Sequence, residues 1–133
     1  MTVALDGDDF QARLAAAVDG AAPTLVLDLL CGPALEAAAA VAGPGARVAH
    51  VGQSSSPTAT FVSGHVRGKQ LQILGYSNFA VPLDVLARGY SDVVGHGAAG
   101  RLRLDTDTVS LGDIAGAWAR QAAGRGPKLV LVP

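Results

Sequence analysis

The sequence predicts an α/β domain built round a parallel sheet. Short apolar runs bounded by glycine or proline alternate with segments of helical periodicity, and the order strand, helix, strand is that of a parallel crossover unit. The length agrees: 133 residues suit one compact domain, residues 1–133, and a hydrophobic share of 50% is enough to give it a core. Because the large aromatic fillers are few (Trp118, two Tyr and three Phe), that core must be filled mainly by Ala, Val and Leu, which favours close helix packing.

Phe10, Leu14 and Val18 recur every four residues on one helical face, with Asp8 as the cap, Gln11 as its capping-box partner and Gly20 as the stop. Thr24 to Leu30, between Pro23 and Gly32, reads as a buried strand, and Asp28 inside it needs a partner. Pro33 suits the first turn of a helix over Ala34–Ala42, which Gly43, Pro44 and Gly45 end. Arg47 to Val51 is a second strand and Gly52–Pro57 a polar loop, while Thr58–Gly68 fits neither period. Lys69 to Gly75 alternates Gln70 and Gln72 with Leu71 and Ile73, as an edge strand with one wetter face would.

Leu83, Leu86, Tyr90 and Val93 or Val94 mark a helix within Pro82–Ala99, whose far end Gly89, Gly95 and Gly97 weaken by about 1 kcal/mol each. Arg101 to Asp105 reads as a short strand. Ser110 and Asp113 form a capping box for a helix with Leu111, Ile114 and Trp118 on one face, Gly124 closes it, and Leu129–Val132 is a terminal strand.

Ten basic residues against eleven acidic ones, without a basic block, argue against a nucleic-acid or acidic-membrane partner. The acidic opening segment does not read as a signal peptide, and Asp28 and Glu36 interrupt the most apolar region well short of the ~20 residues needed to span a bilayer. Cys31 is the single cysteine and no Cys/His cluster has zinc-ligand spacing, so the expectation is a soluble cytoplasmic protein with no metal.

Val26-Leu27-Asp28-Leu29-Leu30-Cys31-Gly32-Pro33 resembles the strand-to-helix turn of S-adenosylmethionine-dependent methyltransferases. However, Leu30 and Ala34 stand where that turn needs glycine for close backbone approach. The acidic ribose ligand expected after the next strand is also replaced, by His50-Val51-Gly52-Gln53.

A longer resemblance runs from Asp6 to Pro133. Leu25-Val26-Leu27-Asp28, Ala46 to Ser54 (ARVAHVGQS), Arg67 to Asn78 (RGKQLQILGYSN), Val109-Ser110-Leu111 with Ala117-Trp118, and the ending Gly126 to Pro133 (GPKLVLVP) follow one another as in the medium-chain dehydrogenase/reductase family. The similarity is to its quinone-oxidoreductase-like and zinc-dehydrogenase-like branches, and to the C-terminal part of the cofactor-binding domain. It implies a partial Rossmann-like parallel sheet with flanking helices, lacking the first glycine-rich strand-turn-helix that grips a dinucleotide. It also implies NADP or NAD as cofactor, with the strand tips near Cys31 and Gly32, Gly52, Gln53 and Ser54, and Gly75, Tyr76 and Asn78 facing the ribose and nicotinamide. Ordinary polar turn caps would read the same way.

By the same resemblance the strand at Lys69–Gly75 pairs with its own copy in a homodimer, since an open edge is a template for pairing. Arg125 or Lys128 is a candidate for a cofactor phosphate, with a solvated turn as the plainer reading. His50 reads as a packed core residue, because no carboxylate is patterned beside it, and His65 and His96 as solvent-facing. Cys31 lies near a helix N-terminus without a patterned base. No catalytic residue stands out. The implied function is an NAD(P)H-dependent oxidoreductase of the quinone-oxidoreductase-like type, present as a fragment or reduced form. The alternatives are a non-redox dimeric binding or assembly module derived from that family, and the methyltransferase.

Overall fold

The computed structural model describes residues 2–124 and 126–133. Its contacts divide the chain into two units, one ending at Val81 and one running Pro82–Pro133. Among the described residues, no helix is long and apolar enough to cross a membrane.

The first unit contains α1 (Phe10–Val18), β1 (Leu25–Asp28), α2 (Gly32–Val41), β2 (Arg47–His50), α3 (Ser63–Gly68) and β3 (Gln72–Gly75). The three strands form one parallel sheet in the order β1-β2-β3. Register aligns Val26, Val48 and Ile73 in one row, Leu27, Ala49 and Leu74 in the next, and Asp28, His50 and Gly75 in the last. Side chains alternate between faces along a strand, so the first and last of these rows share a face.

That face carries the core. Cys31, Leu35 and Val48 cluster with Val26, Ala59 and Phe61, and Phe61 also reaches a second cluster of Ala39, Ala42, Ala46 and Leu71. Alanine is small enough to bring α2 close to the sheet, and α1 packs on α2. On the opposite face Leu27 is 67% exposed, so within this unit only one side of the sheet is covered.

Local chemistry moves several element boundaries from where the sequence puts them. The first strand ends at Asp28 rather than Leu30, because the Asp28 carboxylate accepts the amides of Leu30 (3.1 Å) and Cys31 (3.0 Å) and bends the chain. At α1 the cap position is Asp9, not Asp8. The Asp9 carboxylate is engaged by the Arg13 Nε (2.9 Å) and caps no amide. The ambiguous stretch resolves into the core residue Phe61 and the short α3. Lys69–Leu71 falls outside the strand: Gln70 takes a left-handed φ of 54°, the Leu71 amide donates to the Val66 carbonyl (3.0 Å), and Leu71 turns into the core.

The second unit contains α4 (Leu83–Ala98), β4 (Thr106–Ser110), a 3-10 turn (Leu111–Asp113), α5 (Ile114–Ala122) and β5 (Lys128–Val132). β4 and β5 pair in parallel, joined through α5, which packs on both. The strand expected at Arg101–Asp105 is displaced to Thr106–Ser110, since the amides of Arg101 (2.9 Å) and Leu102 (3.3 Å) both close the end of α4 on the His96 carbonyl. The β-branched Thr106, Thr108 and Val109 suit the strand that follows. Despite its glycines, α4 continues to Ala98. Of the expected capping box only half forms: Ser110 Oγ accepts from the Gly112 amide (3.2 Å), while Asp113 becomes the N-cap of α5 without a side-chain bond. An ion pair of Arg120 with Asp107 (2.6 Å) ties α5 to β4.

Val48 is fully enclosed at the centre of the middle strand. Val48→Ala removes two buried carbons between β2 and α2 and is expected to cost about 2 kcal/mol, read as a lower urea midpoint with an unchanged slope.

Candidate functional site

Parallel α/β sheets bind ligands beyond the carboxyl ends of their strands, where the connecting loops diverge. In the first unit such a cleft, of about 370 Å³, opens at the ends of β2 and β3 and is lined by His50, Val51, Gly52, Gln53, Gly75, Tyr76, Ser77 and Ala80. Its volume lies at the lower end of the range for small-molecule sites.

The loop backbone is built to stay in place. Amides of Val51 (2.7 Å) and Gly52 (3.3 Å) donate to the Asp28 carbonyl, and Ser54 donates to the Leu29 carbonyl through both its amide (3.3 Å) and its hydroxyl (3.1 Å). A Cβ at Gly52 would lie 2.7 Å from the Leu29 carbonyl oxygen, so this close passage of two strand tips requires glycine. On the far side the Tyr76 amide donates to the His50 carbonyl (2.9 Å). Gly75, with nothing within 4 Å of its hypothetical Cβ, leaves the β3 tip open.

Of the residues the sequence singles out, Gly52, Gln53, Gly75 and Tyr76 meet in this cleft. Cys31, Gly32, Ser54 and Asn78 do not line it. Cys31 is buried in the turn after β1 and Gly32 in the first turn of α2, Ser54 holds the loop, and Asn78 is exposed beyond β3. Cys31 has φ 61° and ψ −170°, a conformation that favours glycine, and its amide is held by Asp28. Gly32, at φ 59°, passes Ser56 so closely that a Cβ would meet the Ser56 Cβ at 2.7 Å. Lys128 opens β5 and borders an apolar groove with Trp118 and Leu129, and Arg125 lies outside the described residues.

His50 is the residue that sequence reasoning missed. Rather than a plain core residue, it is half-buried at the cleft and its Nδ1 lies 2.6 Å from Asp28 Oδ2. The partner Asp28 needs is therefore His50, its registered neighbour on the adjacent strand. An acidic residue ending one parallel strand and a histidine ending the next was the available signal. Of the other histidines, His65 is half-buried in α3, contrary to expectation, while His96 is exposed and accepts from Arg101 Nε (2.7 Å).

The electrostatics of the pair fix its protons. Burial pushes the Asp28 carboxyl up, but the His50 hydrogen bond and then the amides of Cys31 and Leu30 outweigh it and hold the carboxyl below its usual value. An ionised carboxylate only accepts hydrogen bonds, so Nδ1 of His50 must donate. Nε2 is the ring nitrogen that Asp28 does not engage, and His50 lines the cleft.

No family model and no curated protein sequence matches the chain. Solved structures do. AibC superposes with a TM-score of 0.76 at 27% identity, over 96% of this chain and 34% of that one. CurA from Vibrio vulnificus in complex with NADPH gives 0.74 at 17%, over 97% and 42%. A quinone oxidoreductase from Pseudomonas syringae pv. Tomato DC3000 gives 0.73 at 20%, over 96% and 41%. The fold is that of the medium-chain dehydrogenases/reductases. It is a Rossmann-like α/β fold, and this chain spans between a third and about two-fifths of the length of those structures.

The residues present fit the nicotinamide-ribose end of a dinucleotide better than its pyrophosphate end. The cleft offers Gln53 and Tyr76 as polar contacts and the open tip at Gly75 for close approach. A glycine-rich turn leading from a strand into a helix, the usual pyrophosphate cradle, does not occur among the described residues. The described residues also contain no group of three or more His, Cys, Asp or Glu placed to hold a metal.

Because the folded Asp28 value is depressed, its contribution to stability is complete above the unfolded value of about 4 and is lost as pH falls through the folded one. Urea unfolding of the wild type and Asp28→Asn should therefore differ at pH 7 and converge towards pH 2. A difference that stays constant over this range would contradict an ionised, hydrogen-bonded Asp28.

Proposed function

We propose that the chain is the nicotinamide-binding part of an NAD(P)H-dependent oxidoreductase of the quinone-oxidoreductase type, working in the cytoplasm as a fragment or reduced form of that family. The observation that carries this reading is the convergence of Gly52, Gln53, Gly75 and Tyr76 on one cleft at the carboxyl ends of parallel strands. CurA, which shares the fold, is known in complex with NADPH. In this reading Gln53 and Tyr76 contact the ribose or carboxamide, Asn78 borders the site from beyond β3, and Ser54, Cys31 and Gly32 shape the loops behind it. The cofactor would supply hydride, while the protein supplies position and electrostatics.

A second reading, a non-redox assembly module, draws support from the lack of a pyrophosphate cradle among the described residues and from open strand edges. β3 is one such edge, with all four residues exposed and Ile73 and Leu74 among them. We propose that it pairs with its own copy in a homodimer under either reading. Light scattering at micromolar concentration should give twice the chain mass, and a monomer would sink the pairing.

Titration with NADPH and NADH, followed by calorimetry, separates the two functions. The oxidoreductase reading expects saturable heat at sub-millimolar cofactor, weakened at least tenfold by Gly75→Val, which fills the open tip. No binding at millimolar cofactor would remove the redox role from this chain, and heat with S-adenosylmethionine instead would favour a methyltransferase.

A further inference from the structure

The His50–Asp28 pair is the strongest unassigned chemistry in the molecule. Asp28 is 5% exposed and makes its hydrogen bonds through both carboxylate oxygens: Oδ1 to the amides of Leu30 and Cys31, Oδ2 to His50 Nδ1. His50 keeps 34% of its side chain exposed, on the wall of the cleft that also holds Tyr76, Gln53 and the open tip at Gly75. A histidine whose Nδ1–H is held by a buried carboxylate has a fixed ring orientation and tautomer, and presents Nε2 alone for proton exchange. The two residues are brought together by strand register and held by the 2.6 Å bond, not by chance rotamers on a loop.

We infer that His50 is the proton donor for reduction of a carbonyl-bearing substrate of the quinone class, with Asp28 as the residue that positions it. The inference rests on the oxidoreductase reading and goes beyond it by naming the acid. In the step, hydride from the reduced nicotinamide carries two electrons and one proton's worth of hydrogen to the quinone. The second proton comes from Nε2 of the His50 imidazolium to the quinone oxygen. The products are hydroquinone, oxidised nicotinamide and a neutral imidazole that still carries its Nδ1 proton, and solvent at the open cleft returns the proton to Nε2. Asp28 remains a carboxylate throughout and keeps the Nδ1 proton of His50 in place.

Among the described residues, the titratable groups on the strands and loops round His50 are few. β1 contributes Asp28, the turn after it contributes the buried Cys31, β2 carries Arg47 at its opposite end, β3 has none, and the loop after β3 brings Tyr76 to the same cleft. Tyr76 is the competing donor, so it must be tested beside His50.

The test uses the full chain, NADPH and 9,10-phenanthrenequinone, together with ¹⁵N spectra of the histidine rings. His50→Ala should lower kcat by roughly 100-fold, leave the KM for NADPH within about twofold, and regain activity when free imidazole is added. Asp28→Asn should lower kcat without imidazole rescue, and Tyr76→Phe should raise the KM for NADPH while lowering kcat far less than His50→Ala does. Independently of turnover, the neutral His50 ring should carry its proton on Nδ1 in the wild type and lose that preference in Asp28→Asn. Unaltered kcat in His50→Ala, absence of imidazole rescue, or a ring protonated on Nε2 alone would each overturn the assignment. Loss of NADPH binding in the wild type would overturn the oxidoreductase reading and the hydride step with it, an outcome distinct from binding and turnover that ignore His50.

Discussion

The Asp28 carboxylate is the point from which the first unit is organised. One oxygen ends β1 by drawing back the amides of Leu30 and Cys31, and the other reaches across to His50 on β2. A buried carboxylate left unpaired would be costly, so these bonds are obligatory once β1 and β2 pair in the observed register. They also set where α2 begins. Cys31 is pulled into a conformation that favours glycine, and Gly32 follows it into the first turn. Backbone strain of this kind persists only where its surroundings over-determine it.

The same constraint links stability to the candidate chemistry. The bonds that satisfy Asp28 orient the His50 ring, and the carbonyls just beyond it, of Asp28 and Leu29, hold the Gly52–Ser54 loop that floors the cleft. Structure and site are thus one hydrogen-bond network, and a change in its centre reaches both. The periphery is different. β1 and β3 are open edges, Leu25 and Leu27 stand exposed on the uncovered face, and in the second unit Trp118 is 76% exposed beside Ile114. Parallel sheets normally have both faces covered. These surfaces match a chain that spans well under half the length of the structures sharing its fold.

Much of this was legible in advance. Alternation of apolar runs with helical periodicity gave the element order through β2, and the marks from Leu25 to the final Val-Pro gave the family fold. The misplacements have local causes. Arg101 and Leu102 look like a strand by composition, but their amides are taken by the end of α4. Gln70 and Gln72 alternate with Leu71 and Ile73 as in a strand, yet the left-handed Gln70 turns Leu71 into the core. Asp8 has the right chemistry for a cap, but the helix starts one residue later and Asp9 is claimed by Arg13.

By itself the sequence determined the α/β class, the family fold and the glycines at the strand tips, because these depend on periodicity, turn chemistry and residues close along the chain. Only the tertiary structure decided that Asp28 belongs to His50, which lies 22 residues away, and that Gly52, Gln53, Gly75 and Tyr76 share a cleft while Cys31, Gly32, Ser54 and Asn78 do not line it. Strand register makes those pairings. It is a property of two segments docked side by side, and neither segment carries it alone.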